Sequence, residues 1–313
     1  MECPVKVAVF PVAGIGSRFL PVTKVGPKEL LPIVDKPIIQ FAVEEAVSAG
    51  IEHLIFVTSS TKRAVEDYFD TNFELEMRLE QAGKQEELDV VRSIIAPRVR
   101  FSYVRQAEPA GLGDAILCAR HIIGDQPFAI LLADDVIKHE AHAHTLRDMI
   151  AVYQQTKMSI LGVQKIPLED TDKYGIVALF DPIESMEKQA YLIKHIVEKP
   201  VPMLAPSCFG VVGRYILIPT IFDMLEELRC GMNGEIQLTD AIANLLHFAP
   251  VYAYPLQGFR FDCGSKMGFL QATIAYALER KELRVQLIRY LEKLHSDQYE
   301  TQGITCEKQC DFV

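Results

Sequence analysis

The sequence predicts a single three-layer α/β domain on a mixed, mainly parallel sheet, with two halves sharing one cleft. Three observations carry this reading. Short apolar runs alternate with helical patterns through the first half, which is the βαβ logic of a parallel sheet covered on both faces. The first run, Val5 to Val12, is almost wholly apolar apart from Lys6 and feeds a glycine loop. Further on, Phe128 to Leu132 runs apolar into Asp134 and Asp135, so two carboxylates sit just past the end of a central strand. Open α/β sheets place their sites there.

After the glycine loop, the pattern predicts a helix over Ile38 to Ala49 stopped by Gly50, a strand over His53 to Thr58 and a helix near Lys62 to Phe69. A charged stretch from Glu74 to Val91 reads as helical, with Leu75, Leu79 and Leu88 facing inward, and leads to a strand at Val99 to Arg105. GLGDAILCARHII is a glycine turn opening a helix. The second half reads as strands near Ser159 to Val163, Gly175 to Leu179, Ile193 to Glu198, Cys208 to Tyr215 and Val251 to Pro255, with helices at Pro219 to Glu227 and Thr239 to Leu246. A long amphipathic helix is expected over about 268–294, then a polar, disordered tail over 296–313 containing Cys306 and Cys310. No Pro/Ser linker interrupts the chain, so residues 1–295 are expected to form one domain, with halves at about 1–135 and 136–265.

The 313 residues carry 32 Lys+Arg against 42 Asp+Glu, a net charge of −10, which excludes a generic electrostatic grip on nucleic acid or anionic lipid. Any phosphate site must therefore be local. No apolar run reaches the ~18 residues of a membrane span, and the N-terminal MECPVKVAVFPVAG turns into glycine where a signal peptide would continue apolar, so a cytoplasmic location is expected. The seven cysteines form neither a disulfide framework nor a zinc-spaced set, and reduced thiols are expected. HEAHAH, from His139 to His144, lacks partners placed to complete a tetrahedral zinc site and reads as a polar loop.

The glycines of Ala13-Gly14-Ile15-Gly16-Ser17-Arg18 allow backbone N–H groups to approach a phosphate without Cβ interference. The loop lacks the third glycine of a dinucleotide fingerprint and the GK[ST] ending of a Walker loop. Its continuation, FLPVTKVGPKELLPIVDKP, holds Pro21, Pro27, Pro32 and Pro37, which disfavour an independent helix. Arg18, Lys24 and Lys28 concentrate positive charge beside it. That combination suits a triphosphate.

The pattern G-x-G-[TS]-R, a short spacer, then P-K-E-[ML]-L-P-[LIV]-V-D-K-P stands nearly intact from Gly14 to Pro37. It is joined in order by FELE from Phe73, RQ from Arg105, GLGDA from Gly111, YGIV from Tyr174, VEKP from Val197, GEIQLTD from Gly234 and FDCGSK from Phe261. With these motifs the chain closely resembles the bacterial-type UTP:glucose-1-phosphate uridylyltransferases, over roughly residues 4 to 290. The resemblance implies a Rossmann-like nucleotidyltransferase fold, with a nucleotide-binding first half and a sugar-binding second half. The implied reaction joins UTP and glucose 1-phosphate into UDP-glucose and pyrophosphate with Mg²⁺, without nucleic acid or membrane. Relatives are commonly dimers or dimers of dimers, so a homodimer or homotetramer is expected, and the apolar face of the last helix could serve that interface or cap the core.

The same resemblance distributes roles. It implies that Ala13, Gly14, Gly16, Ser17 and Arg18 hold the nucleotide phosphates with Lys28 against them, and that Glu29 either touches the nucleotide or orients its neighbours. Gln106, with Gly111 and Gly113, resembles the uracil reader, since an amide can donate to a ring carbonyl and accept from N3–H. Gly113 and Asp114 could also be a plain turn and helix-start charge. Asp134 and Asp262 match a pair of Mg²⁺ carboxylates; LADD departs from the commoner L-P-D-V, so Asp135 stands as the alternative to Asp134. Gly175, Glu198 and Lys199 resemble the sugar site, with Lys199 on the sugar phosphate. Strictly extended, Glu198 and Lys199 would point to opposite faces, an objection that Pro200 relaxes by ending the strand. Two rivals remain: a related nucleotidyltransferase using dTTP, and a catalytically silent nucleotide-sugar-binding paralogue.

Overall fold

The fold is taken from a computed structural model describing residues 3–95, 97–139, 144–182, 189–228 and 234–302. Its strands are β1 (Val7–Pro11), β2 (Pro32–Ile33), β3 (Lys36–Pro37), β4 (His53–Thr58), β5 (Arg100–Arg105), β6 (Phe128–Leu131), β7 (Asp135–Lys138), β8 (Ser159–Lys165), β9 (Gly175–Pro182), β10 (Tyr191–Glu198), β11 (Phe209–Leu217), β12 (Val251–Pro255) and β13 (Phe259–Asp262). Nine of them form one sheet in the order β5-β4-β1-β6-β11-β8-β12-β10-β9.

The sheet is mixed, as expected, but its parallel part is the first half and the second half is mostly antiparallel. β5, β4, β1 and β6 are mutually parallel. Beyond them only β8 and β12 pair in parallel, while β11 and β10 run against all their neighbours. Most strands thus share one direction, but antiparallel pairings outnumber parallel ones. The cause lies in the connections: helical crossovers return the chain in the first half, whereas β9 and β10 follow each other as antiparallel neighbours.

Side-chain alternation along β1 builds both layers. Val7 and Val9 join a core roofed by helices Leu112–Cys118, Ile221–Glu227 and Leu238–Leu245. Ala8 and Phe10 join another beneath helices Ile38–Ser48 and Thr145–Thr156. Phe10 stacks on Phe56 with centroids 5.0 Å apart.

Three expectations need correction. The charged stretch is two helices, Phe73–Gln81 and Gln85–Ser93, broken at Gly83 with φ +69°. It lies outside the three main cores, so Leu75 is 41% exposed, although Leu88 is buried. The last helix is also two, Lys266–Ala277 and Lys281–Gln302, and the second runs past the expected start of the tail at Ser296. Cys306 and Cys310 lie outside the described residues, as do Cys230 and the Glu140–Ala143 part of the histidine run.

A feature the sequence hid is the small sheet of β7 and β13, which pairs Asp135 with Asp262. Behind it, Ile33, Ile38, Val136, Cys263 and Ala272 form a third core. This ties the last motif, FDCGSK, to the tip of β6.

Candidate active site

Because β1, β4, β5 and β6 are parallel, their carboxyl ends lie along one edge. The chain leaving them carries the Ala13–Arg18 loop, Lys62, Gln106 and Asp134 respectively. β11 enters the sheet where β6 leaves it, and its first residues pair with the first residues of β9 (Phe209 with Val177, Gly210 with Ile176). That pairing brings Gly175 to the same edge.

Ala13 is buried, whereas Gly14 to Ser17 form an open rim with nothing within 4 Å of a Cβ built on Gly14. Gly16 adopts a left-handed conformation, φ 72°, and presses against Lys28: a Cβ there would meet the lysine Cβ at 3.3 Å. Thr23 closes the turn by donating its hydroxyl to the Gly16 carbonyl at 2.8 Å. The proline-rich continuation forms short 3₁₀ turns, Val22–Lys24 and Lys28–Leu30, in place of an α-helix.

Lys28 Nζ lies 2.5 Å from Asp134 Oδ2. Burial pushes the Asp134 pKa upward, but Lys28 outweighs it and holds the carboxyl below its usual range. Glu29 points the other way, into the protein, where its carboxylate meets Lys62 Nζ at 2.7 Å in a pair only 2–3% exposed. Burial pushes the Glu29 pKa up. Of the two readings of Glu29, this position favours orienting the PKELL turn over touching a ligand.

Asp134 and Asp262 converge although 128 positions separate them in the numbering. A Cβ built on Gly264 would stand 2.9 Å from Asp134 Oδ2 and 2.9 Å from Asp262 Oδ1, with Arg18 Nη1 at 3.5 Å. Asp262 Oδ1 accepts from the Gly264 N–H, and Ser265 caps the next helix by accepting from Gly268 N. A Gly264→Ala variant keeps every charge yet places a methyl between the two carboxylates. If the two carboxylates hold the Mg²⁺ expected from sequence, it should raise the Mg²⁺ concentration for half-maximal turnover at least about tenfold, as expected for misplacing groups in a site. Titrating Mg²⁺ in a turnover assay checks this, and an unchanged midpoint would separate the carboxylates' convergence from activity.

Asp135 is buried and already engaged: Oδ1 accepts from Arg260 Nε at 2.6 Å and Oδ2 from the Gly213 N–H at 2.7 Å. Burial pushes its pKa up, against the pull of Arg260. Arg260 also donates to Tyr174 Oη at 3.2 Å and lies over that ring at 5.1 Å. A second guanidinium, Arg214, is 1% exposed; it donates to the carbonyls of Leu132, Gly213 and Asp135 and pairs with Glu45 at 2.8 Å. Arg214 thereby clamps the LADD turn. Neither arginine was singled out from sequence, although one Arg inside the apolar run FGVVGRYIL is a recognisable signal of a buried ion pair. The Cys263 thiol, pushed up to about 12 chiefly by burial and by the surrounding carboxylates, stays protonated and inert.

Gln106 is buried at the end of β5, and both its amide protons are used, donating to the Gly111 carbonyl at 3.1 Å and Asp114 Oδ2 at 2.7 Å. The expectation that this amide donates to a base is therefore corrected; its carbonyl oxygen is what remains. Gly111, φ 98°, is held against Ile236, which donates to the Ala110 carbonyl. Gly113 is likewise buried: its N–H donates to Ile236 and a Cβ would stand 2.8 Å from Leu225. It acts through packing, the turn reading left open from sequence. GEIQLTD is thus the backing of this corner.

Glu198 pairs directly with Gly175 across β9 and β10, and a Cβ on Gly175 would crowd Thr239 Oγ1 at 3.1 Å and Glu198 Oε2 at 3.4 Å. The strand ends at Glu198. Lys199 then takes a left-handed conformation, φ 43°, its N–H donating to the Tyr174 carbonyl. This turn brings Lys199 Nζ back to 3.0 Å from Glu198 Oε1, so the two side chains share a face that a continuous strand would deny them. Such backbone strain in a non-glycine residue is typical of a functional corner. Asp240, from GEIQLTD, lies near; burial and then Glu198 push its pKa up.

Residues 8–279 match the nucleotidyl transferase family. The UTP–glucose-1-phosphate uridylyltransferase of Bacillus subtilis strain 168 is 49% identical over 290 residues, 93% of this chain and 97% of that protein. Among solved structures, the UTP-bound UGPase from Acinetobacter baumannii is 43% identical, covers 93% of this chain and 99% of its own, and superposes with a TM-score of 0.84. A UDP-glucose pyrophosphorylase complexed with UDP-glucose is 45% identical over 88% of this chain and 100% of its own, with a TM-score of 0.79. A glycine rim, a lysine set on convergent carboxylates and a strained Glu-Lys corner thus stand on one edge of a sheet shared with these enzymes. The chain belongs to the nucleotidyl transferase family, among the bacterial UTP–glucose-1-phosphate uridylyltransferases.

Proposed function

We propose that this cleft transfers the uridylyl group of UTP to glucose 1-phosphate, forming UDP-glucose and releasing pyrophosphate. The observation that carries the reading is the convergence of Asp134, Asp262 and Lys28 beside the Gly14–Arg18 rim, in a chain so closely related to uridylyltransferases. A phosphate monoester, with a second pKa of about 6, is already an anionic nucleophile at neutral pH, so no general base is needed. Catalysis rests on positioning and on neutralising charge at the transferring phosphorus.

Within that chemistry, Ala13, Gly14, Gly16 and Ser17 offer backbone N–H groups to the nucleotide phosphates, with Arg18 and Lys28 supplying positive charge. Glu198 takes sugar hydroxyls, Gly175 admits the ring to the backbone, and Lys199 pairs with the sugar phosphate. Two convergent carboxylates fit Mg²⁺, a hard ion that takes few protein oxygens and completes its shell with substrate and water. Asp134 and Asp262 would hold the ion, which when bound neutralises phosphate charge. Asp135, committed to Arg260 and Gly213, supports the turn instead.

Gln106 Oε1 is the group left to face the base, accepting from uracil N3–H. Cytosine presents a lone pair at N3, so Gln106→Ala should reduce the UTP-over-CTP preference at least about tenfold while leaving the glucose 1-phosphate KM nearly unchanged. An unaltered ratio would move base recognition to the Gly111 backbone. A thymine methyl is worth only about 1–3 kcal/mol in a pocket, so dTTP should be a slow but measurable substrate.

The decisive experiment is a pyrophosphate-release assay crossing four nucleoside triphosphates with several sugar 1-phosphates. UTP with glucose 1-phosphate should dominate; a preference for dTTP would favour the rival nucleotidyltransferase, and silence in all pairs the non-catalytic one. No described helix is long and apolar enough to cross a membrane. The helix Lys281–Gln302 exposes Val285, Ile288, Tyr290 and Leu294, which supports a homodimer or homotetramer.

A further inference from the structure

Behind the LADD turn, on the side away from the two convergent carboxylates, lies a cavity of about 390 Å³ that the chemistry above does not use. It opens between helix Ile38–Ser48, the end of β7 and the final helical segment. That volume is within the range of small-molecule sites. Its three carboxylates are each paired with a cation, and a fourth cation, Arg147, meets a carbonyl. Lys36 meets Glu44 at 2.8 Å, Lys138 meets Glu279 at 2.8 Å, and Arg214 places both Nε and Nη2 on Glu45 Oε2. Arg147 donates to the Ser48 carbonyl.

Within this lining two polar atoms stand buried without a partner: Glu45 Oε1 and His139 Nδ1. The Glu45 side chain is only 9% exposed. A buried carboxylate oxygen without a donor is costly, so the group it is built to meet is an N–H or O–H. The lining carries one cation more than it has carboxylates, which disfavours a cationic ligand, and an anion would set its oxygens against Glu45 Oε1, whereas a neutral hydroxyl donates to it. Phe41 and Tyr276, with centroids 4.8 Å apart, provide an apolar wall of the kind on which the C–H face of a sugar ring rests.

We infer that this cavity is a second ligand site, taking a neutral, hydroxyl-rich small molecule of monosaccharide size whose hydroxyls donate to Glu45 Oε1 and bond His139 Nδ1. Occupancy is coupled to the catalytic edge, because Glu45 holds Arg214 and Arg214 holds the Leu132 and Asp135 carbonyls on either side of Asp134. The coupling rests on the role proposed for Asp134; the binding does not.

The test is calorimetric titration of the full chain with D-glucose and with myo-inositol, with saturating UDP-glucose filling the catalytic cleft. One saturable site is expected for at least one of them, weakened at least about tenfold by His139→Ala, the loss of a buried hydrogen bond. Ser48→Trp, an exposed rim position, should block the site similarly without altering basal turnover. Absence of saturable binding, binding indifferent to both variants, or tighter binding of glucose 6-phosphate than of glucose would overturn the assignment. The titration repeated without UDP-glucose reads the same site if the catalytic reading fails. Bound ligand should shift the half-saturating Mg²⁺ of turnover at least twofold, and an unmoved midpoint would overturn the coupling.

Discussion

Asp134→Ala should lower turnover about 10³-fold at saturating Mg²⁺, with little loss of thermal stability, because it removes a preorganised charge from the reacting centre. The carboxylate is half-open to the cleft and makes its ion pair with Lys28, itself a site residue, so the core loses nothing on its removal. Asp262→Ala should behave alike, since its Oδ1 stands 2.9 Å from the same point as Asp134 Oδ2. Asp135 is the internal control. Asp135→Ala strands the buried Arg260 guanidinium, and breaking a buried pair costs about 3–5 kcal/mol, so its primary signature is a fall in Tm. Near wild-type turnover in Asp134→Ala would remove that residue from the metal assignment, and a Tm loss matching that of Asp135→Ala would show it to be structural.

That contrast between adjacent aspartates marks where sequence reading succeeds and where it stops. Asp134 was legible as a strand-end carboxylate, because an apolar run such as Phe128–Leu131 announces a buried strand and the next polar residues must sit at its mouth. The glycine rim was legible for the same reason. What separates Asp134 from Asp135 is contact with Arg260 and Gly213, and neither partner is near in sequence. β7 and β13 are only four residues each, too short for periodicity to reveal, yet their pairing is what delivers Asp262 to Asp134. Lys199 shows another kind of blindness: alternation predicts opposite faces for Glu198 and Lys199, and only the left-handed φ of 43° reverses that. Gln106 was legible as a polar residue at a strand end, but which of its atoms stays unbonded was not, since Asp114 lies one helical turn beyond a glycine whose conformation no local pattern specifies. In the last helical segment, amphipathicity ran through Leu278–Arg280 without revealing the break there.

Lys28→Ala should lower kcat about 10²-fold or more, in line with the ~2.7–4 kcal/mol typical of removing one preorganised electrostatic donor. The ammonium is positioned twice over, by the Gly16 backbone packed on its stem and by Asp134 at its tip. Burial lowers the Lys28 pKa, but Asp134 and Glu29 outweigh it and carry the pKa above the usual value, so the charge is present throughout the working pH range. Lys28→Arg should restore little, because the guanidinium is a planar fork where the site offers room for a compact charge on a stem lying 3.3 Å from the Gly16 Cβ position. Arg18→Ala should resemble Lys28→Ala but more weakly, its side chain being exposed and touching the Gly264 carbonyl only at 3.5 Å. The double variant with Asp134→Ala separates two roles. If Lys28 served only as counter-ion to Asp134, the double variant would be no slower than Asp134→Ala alone; a lysine acting on the transferring phosphate makes it slower still. A Lys28→Ala effect confined to the UTP KM would show equal binding of ground and transition states, and would end its assignment as a catalytic charge.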